Sequence, residues 1–245
     1  MSLRSEYDDW HQRNFESDPA HEDADTPWYQ LIWEQVGVVT GLNVLEIACG
    51  RGGFSIELVR AGARVTGCDF SFFAARTANT KLGSTTERPA VSFVQGDAQN
   101  LPFAGDSFDH VISCETIEHV PDAPRALREM LRACRPGSKL FLTTPNYANF
   151  MGLYELYSLV RHPGRKDDQP FDRRQWFPQI RKFVNGAGWR ILHTDGTVHQ
   201  FPLLPDHNPV RRKSLESNRK VRKLLSPLAF TYFMMAQKRD TRCAF

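Results

Sequence analysis

From Asn43 onward, short apolar runs alternate with stretches of helical periodicity. A chain patterned this way folds as a mostly parallel sheet with helices on both faces. The strands read as Asn43–Ala48, Arg64–Cys68, Val91–Gln95, Phe108–Cys114 and Lys139–Thr143, followed by one from Trp189 and a last run Phe230–Ala236. The helix opened by Asp122 is the best defined. Ala123, Ala126, Leu127, Met130, Leu131 and Cys134 recur at helical spacing, Asp122 is its expected N-cap, and Pro136-Gly137 reads as its stop. Thr26-Pro27 opens an earlier helix with Trp28, Leu31, Ile32 and Val36 on one face.

Length and composition fit one such unit. The 245 residues are 41% hydrophobic and 24% charged, which is ordinary for a globular domain. The expected organisation is a single domain over 1–245, with a helical cap at 1–40, a polar and aromatic substrate-side insertion at 146–172, and a basic connection at 200–225 before the last strand. The most apolar run, Ser226–Gln237, is far below the roughly 18–20 residues needed to span a bilayer. The first residues are acidic and lack a signal-like apolar stretch, so a cytoplasmic protein is expected. Cys49, Cys68, Cys114, Cys134 and Cys243 form no CxxC pair and read as small buried hydrophobes.

The net charge of +3 conceals a dipole. Residues 1–25 hold eight acids against Arg4 and Arg13, and residues 211–223 hold seven bases against Glu216. Either end could be a solvated face, or the basic one could attract an anionic partner, and composition does not choose.

The turn after the first strand, Glu46-Ile-Ala-Cys-Gly50-Arg-Gly52-Gly53, is the type that lets a backbone approach a nucleotide-like ligand. It departs from the dinucleotide fingerprint in two ways. The third glycine position falls on Ser55, and Glu46 would repel a nearby pyrophosphate. A carboxylate there suits a ligand carrying an ammonium and a sulfonium. Asp69 ends the second strand, nineteen positions after Gly50, where an acid binds ribose hydroxyls. Asp97, after the third strand, is placed for an adenine amino group, with the Ala98 N–H facing a ring nitrogen. Three acids without a basic phosphate clamp describe S-adenosylmethionine rather than NAD, whose dehydrogenases are the fold-level rival.

Glu46–Gly53, Val65–Ser71, Phe93–Phe103 and Asp109–Pro145 resemble successive motifs of class I S-adenosylmethionine-dependent methyltransferases, in particular the branch of quinone-biosynthesis and small-molecule O-methyltransferases. The resemblance covers about residues 26–200. It implies a Rossmann-like, seven-stranded, mostly parallel sheet with a reversed C-terminal strand. It places Glu46, Ala48, Gly50 and Gly52 around the methionine moiety, with Ala48 standing where a glycine is common. Asp69 would hold the ribose, Phe70 would lie against adenine, Asp97 and Ala98 would meet the adenine edge, and Cys114 would line the cofactor through its backbone. S-adenosylhomocysteine would be the product.

Methyl transfer needs positioning and a group that removes the acceptor's proton. The candidates follow the fourth strand in Glu115-Thr-Ile-Glu118-His119-Val-Pro121, where a helical turn would put Glu115, Glu118 and His119 on one face. Either His119 acts as a base, with Glu115 beside it, or the three bind a divalent metal that deprotonates a hydroxyl. The Glu-x-x-Glu-His pattern is similar to the metal motif of ubiquinone-pathway O-methyltransferases and small-RNA 2′-O-methyltransferases, and also occurs in metal-independent relatives. His162 is an available further ligand. Trp28, Tyr29, Pro145-Asn146-Tyr147, Phe150, Tyr154, Tyr157 and Trp176 would shape an acceptor site for a phenol, quinol or glycoside, or else pack the insertion's own core. His11, His193 and His199 stand in no motif and read as surface or packing residues.

The leading expectation is a methyltransferase acting on a small-molecule hydroxyl. The alternatives are an RNA 2′-O-methyltransferase using 211–223 as a phosphate-binding arm, and a non-catalytic S-adenosylmethionine-binding protein. Against nucleic acid, the rest of the chain is net acidic and no aromatic interrupts the basic run.

Overall fold

The computed structural model describes residues 2–18, 26–83, 86–147, 169–197 and 218–239. Seven strands make one sheet: β1 (Asn43–Ile47), β2 (Arg64–Asp69), β3 (Val91–Gln95), β4 (Phe108–Cys114), β5 (Cys134–Pro145), β6 (Trp189–Thr197) and β7 (Thr231–Lys238). Their order is β3-β2-β1-β4-β5-β7-β6, parallel throughout except for β7, which runs antiparallel between β5 and β6. The Rossmann-like sheet with a reversed last strand is as expected.

The described helices are α1 (Leu3–Ser17), α2 (Pro27–Val36), α3 (Gly53–Arg60), α4 (Phe72–Leu82), α5 (Ala123–Ala133), α6 (Phe177–Gly186) and α7 (Arg219–Leu225). Successive strand residues point to opposite faces, and both faces are apolar. Val44, Ile112, Phe141 and Phe233 pack with α2, α3 and α4, while Leu45, Val111, Leu140 and Met234 pack with α5, α6 and Trp189. The Trp189 indole, fully interior, donates to the Leu127 carbonyl at 3.0 Å, so its one polar atom is satisfied.

Asp122 caps α5 as expected, its carboxylate accepting the Arg125 N–H at 3.0 Å. The expected stop at Pro136-Gly137 is corrected. The helix ends at Ala133, and Cys134 already pairs with Phe108 across a register shift, so Pro136 and Gly137 lie inside β5. Strand pairing overrides the local stop signal here. Thr26 precedes α2, but its side chain makes no capping bond.

The basic segment also reads differently in three dimensions. Residues 211–217 lie outside the described residues. Arg222 faces inward from α7 and holds the fully buried Asp195 of β6 through two bonds of 3.0 Å, and it also pairs with Glu34 of α2. It is a structural cation and is unavailable to a phosphate chain. Cys49, Cys68, Cys114 and Cys134 are buried and unpaired, and Cys243 lies outside the described residues. Among the described residues no helix is long and apolar enough to cross a membrane.

Removing one partner of a buried ion pair leaves a charge without compensation, at a cost of about 3–5 kcal/mol. Arg222→Met should therefore lose that much stability in urea unfolding. Adding Asp195→Leu to the same chain should recover most of it; an equal loss in the double variant would show that Arg222 acts by packing alone.

Candidate functional site

The site grows from the C-terminal ends of the parallel strands, at the point where the chain leaves β1 toward β2 on one side and β4 lies on the other. After β1 the backbone turns sharply. Ala48, Gly50 and Gly52 have φ of 55°, 52° and 75°, all in the left-handed region. At Gly52 a side chain would also collide, because a Cβ would stand 2.4 Å from the Phe93 ring. Ala48 accepts the strained conformation while its N–H donates to the Cys68 carbonyl at 2.7 Å, which ties the turn to β2.

Asp69 joins the two loops. One carboxylate oxygen accepts the Gly50 N–H and the other the Ser71 N–H, both at 2.9 Å. At the end of β3, Asp97 accepts the Gln99 N–H at 2.8 Å and its side-chain amide at 3.1 Å, and the Gln99 amide oxygen in turn accepts the Asp122 N–H at 3.0 Å. These loops, with α1 above them, enclose a cavity of about 510 Å³, within the range of small-ligand pockets. Ala48, Gly50, Asp69, Phe70, Asp97, Ala98, Cys114, Glu115 and His119 all line it, as do Trp28 and Tyr29 of the cap.

Two expected cofactor residues stand behind the wall. Glu46 is 1% exposed, and its carboxylate accepts from the Tyr29 hydroxyl at 3.1 Å and from the Ser55 hydroxyl. It supports the turn and the cap from beneath. Gly52 likewise serves the turn and does not line the cavity. Of the expected acceptor-site aromatics, Trp176 is 59% exposed and away from the cavity, and Tyr147 meets Asp172 at 3.5 Å. Asn146 is buried and tied to the Pro227 and Ala229 carbonyls. Phe150, Tyr154 and Tyr157 lie outside the described residues, as does His199.

The acidic N-terminal segment is where sequence reasoning fell short. The face of α1 bearing Leu3, Tyr7, Trp10, His11 and Asn14 forms one wall of the cavity. Asp8 is no solvated acid: it accepts from the Ser71 hydroxyl at 2.6 Å and the Phe73 N–H at 3.0 Å, at the start of α4. Arg51 reaches up from the turn to the Asn14 and Asp18 carbonyls at the far end of α1. Tyr7 donates to the Phe171 carbonyl at 3.1 Å, and Arg4 and Tyr7 pack on Phe70. His11, expected as a surface or packing residue, lines the cavity with Nε2 3.8 Å from Asp69. The available signal was Tyr7, Trp10 and Asn14 at helical spacing.

Beyond β4 the expected shared helical face is corrected. Glu115 has φ 45°, and only Ile117–His119 form a short 3-10 turn, so Glu115 leaves the chain at a different angle from its neighbours. Burial pushes the Glu115 carboxyl up to about 8. Burial, together with the nearby Glu115, holds Glu118 protonated well above the usual carboxylate range. Glu118 accepts from the Thr144 hydroxyl at 2.8 Å. His119 Nδ1 lies 2.8 Å from the Phe171 carbonyl and so carries the proton, leaving Nε2 as the basic atom, 3.6 Å from Glu118. Burial lowers the His119 pKa below its ordinary value, which keeps the ring neutral. Among the described residues no three His, Cys, Asp or Glu side chains stand where they could hold a metal ion. Glu115, Glu118 and His119 therefore do not form the metal set, and His162 lies outside the described residues.

This combination, a nucleotide-type turn with acids at three successive strand ends and a neutral histidine opposite, is that of a methyl-transferring enzyme. Residues 45–142 match the family described as a methyltransferase domain. The chain is 34% identical to a demethylmenaquinone methyltransferase of Beutenbergia cavernae over 181 residues, which is 68% of this chain and 73% of that one. It is 38% identical over 121 residues to a phthiotriol/phenolphthiotriol dimycocerosates methyltransferase of Mycobacterium leprae, 48% of this chain and 43% of the relative. A SAM-dependent methyltransferase structure from Thermotoga maritima shares the fold, with a TM-score of 0.69 at 18% identity, covering 97% of this chain and all of that one. The chain belongs to the class I S-adenosylmethionine-dependent methyltransferases and resembles their quinone-biosynthesis branch.

Two substitutions in the turn should act in opposite directions. Left-handed backbone costs a residue bearing a Cβ about 1–2 kcal/mol, against about 0.4–1 kcal/mol of extra unfolded-chain entropy for glycine. Ala48→Gly should therefore stabilise the protein by up to about 1 kcal/mol in urea unfolding, with affinity for S-adenosylhomocysteine retained. Gly52→Ala should destabilise it and weaken that ligand, because the Phe93 ring must give way.

Proposed function

We propose that the enzyme methylates a hydroxyl oxygen of a small, flat, phenol- or quinol-like acceptor, with His119 as the base. The observation that carries this reading is the state of His119. It lines the cavity with Nδ1 committed to a carbonyl, and its depressed pKa leaves Nε2 free to take a proton at neutral pH. Support for the acceptor class comes from the aromatic wall of Tyr7, Trp28 and Tyr29, and from the quinone-related name of the Beutenbergia relative. The acids in the wall disfavour an anionic acceptor. Bound S-adenosylmethionine would supply the electrophilic methyl group.

In this reading the cap presses the acceptor ring against the floor at the end of β4, and Nε2 of His119 receives the hydroxyl proton as the oxygen becomes nucleophilic. The Phe171 carbonyl stabilises the resulting imidazolium through Nδ1–H. Glu115, protonated at neutral pH, donates to the acceptor's oxygen and orients it.

The proton inventory predicts the rate profile. A base whose pKa is lowered is unprotonated across neutrality, so kcat/KM should rise with pH through a value below 6.5, hold across neutrality, and fall above about 8 as Glu115 loses its proton. A rising limb near 8 would instead assign the base to Glu115. His119→Ala should lower kcat by about 10²–10⁴-fold with S-adenosylhomocysteine affinity nearly intact, and activity should survive excess EDTA. Mass spectrometry and carbon NMR of a product labelled from the methyl donor would show an O-methyl group; a methyl group on carbon or nitrogen would overturn the oxygen reading.

A further inference from the structure

Two side-chain donors in the cavity wall have no partner. The Trp10 indole Nε1 and the Thr26 hydroxyl are buried from solvent and make no hydrogen bond, although both residues line the cavity. A buried donor left unpaired costs about 1–3 kcal/mol. Two of them in one pocket imply that a ligand acceptor atom completes them. Neither belongs to the strand-end loops. Trp10 comes from α1, and Thr26 from the residue before α2.

Their surroundings indicate which end of the ligand they meet. Thr26 lies one turn before Tyr29, whose hydroxyl reaches Glu46 beneath the Gly50 turn and whose ring stacks on Phe54 of α3 at 4.1 Å. Trp10 lies one turn before Asn14, whose carbonyl receives Arg51 from that same turn. Both donors thus belong to elements tied to the Ala48–Gly52 turn, which the family resemblance assigns to the methionine moiety. The ligand's amino-acid end brings an ammonium, for which acids abound, and a carboxylate, for which they do not serve. Arg51 also lines this wall, where it gives one N–H of each terminal nitrogen to the Asp18 and Asn14 carbonyls at 2.5 and 2.8 Å and keeps its positive charge beside the turn, so Trp10 and Thr26 add neutral donors next to a cation.

We infer that Trp10 and Thr26 form the carboxylate clamp for the methyl donor, so that the cap reads the donor's amino-acid end while the sheet reads its nucleoside. The inference rests on S-adenosylmethionine being the donor and is independent of the acceptor. It also gives α1 a binding role: Arg51 holds the helix down by its C-terminal carbonyls, and the helix presents the indole N–H to the ligand.

Calorimetry with two ligands tests this directly, using the full chain and the variants Trp10→Phe and Thr26→Val, alone and together. The probes are S-adenosylhomocysteine and its decarboxylated analogue, which keeps the amine and the nucleoside. Each variant should weaken S-adenosylhomocysteine about tenfold or more, the range for a hydrogen bond to a charged group, and should leave the decarboxylated analogue unchanged. Equal weakening of both ligands would overturn the clamp and make Trp10 and Thr26 packing residues of the cap. Unchanged binding of both would also overturn it and turn the donors toward the acceptor. If the unmodified protein bound neither ligand, the donor assignment itself would fall.

Discussion

The site depends on one carboxylate held between two loops. Asp69 ends β2 and takes an amide from each side, Gly50 from the turn after β1 and Ser71 from the start of α4. With the Ala48 N–H bond to the Cys68 carbonyl, it gives the two turns a common reference. The bond to Gly50 also holds the chain in a left-handed conformation that β1 alone would not select. The two amides fix the plane of the Asp69 carboxylate before any ligand arrives, which is preorganisation in the ordinary thermodynamic sense.

The same loops hold the cap. Ser71 connects Asp69 to Asp8 of α1, and Arg51 grips the other end of that helix. The acid-rich N-terminus is thus bound by polar bonds to the very segments that line the cavity, where an apolar cap would have packed regardless of them. The charge asymmetry of the chain resolves into local uses: Asp8 at a helix start, Asp69 between amides, and Arg222 as counter-ion to a buried acid.

The central sheet was readable because its strands are short apolar runs closed by glycine, proline or an acid, and the acids after β2 and β3, expected as ligand groups, stand in the cavity wall. What escaped reading was set by contacts between distant segments. Nothing near Asp8 announces Ser71, sixty-three positions away, and α1 has too few apolar residues to read as a covering helix. Glu46 was correctly placed at a strand end, but Tyr29 and Ser55 turn its carboxylate inward. Glu115, Glu118 and His119 have helical spacing, but the left-handed φ at Glu115 breaks the turn that would have aligned them. The early start of β5 is a pairing effect, invisible without β4 beside it.

The position of β7 governs how the molecule can be made. Its residues pair with β5 on one edge and β6 on the other, and Phe233 and Met234 fill the two apolar layers on opposite faces of the sheet. During synthesis every other strand emerges from the ribosome first, so β6 has no neighbour to pair with until the final strand slides into the gap. Until then the edge of β5 is an open template bordered by apolar surface, the type of edge to which other chains add. Among the described strands, the greatest aggregation hazard therefore falls in the interval between the emergence of β6 and the completion of β7.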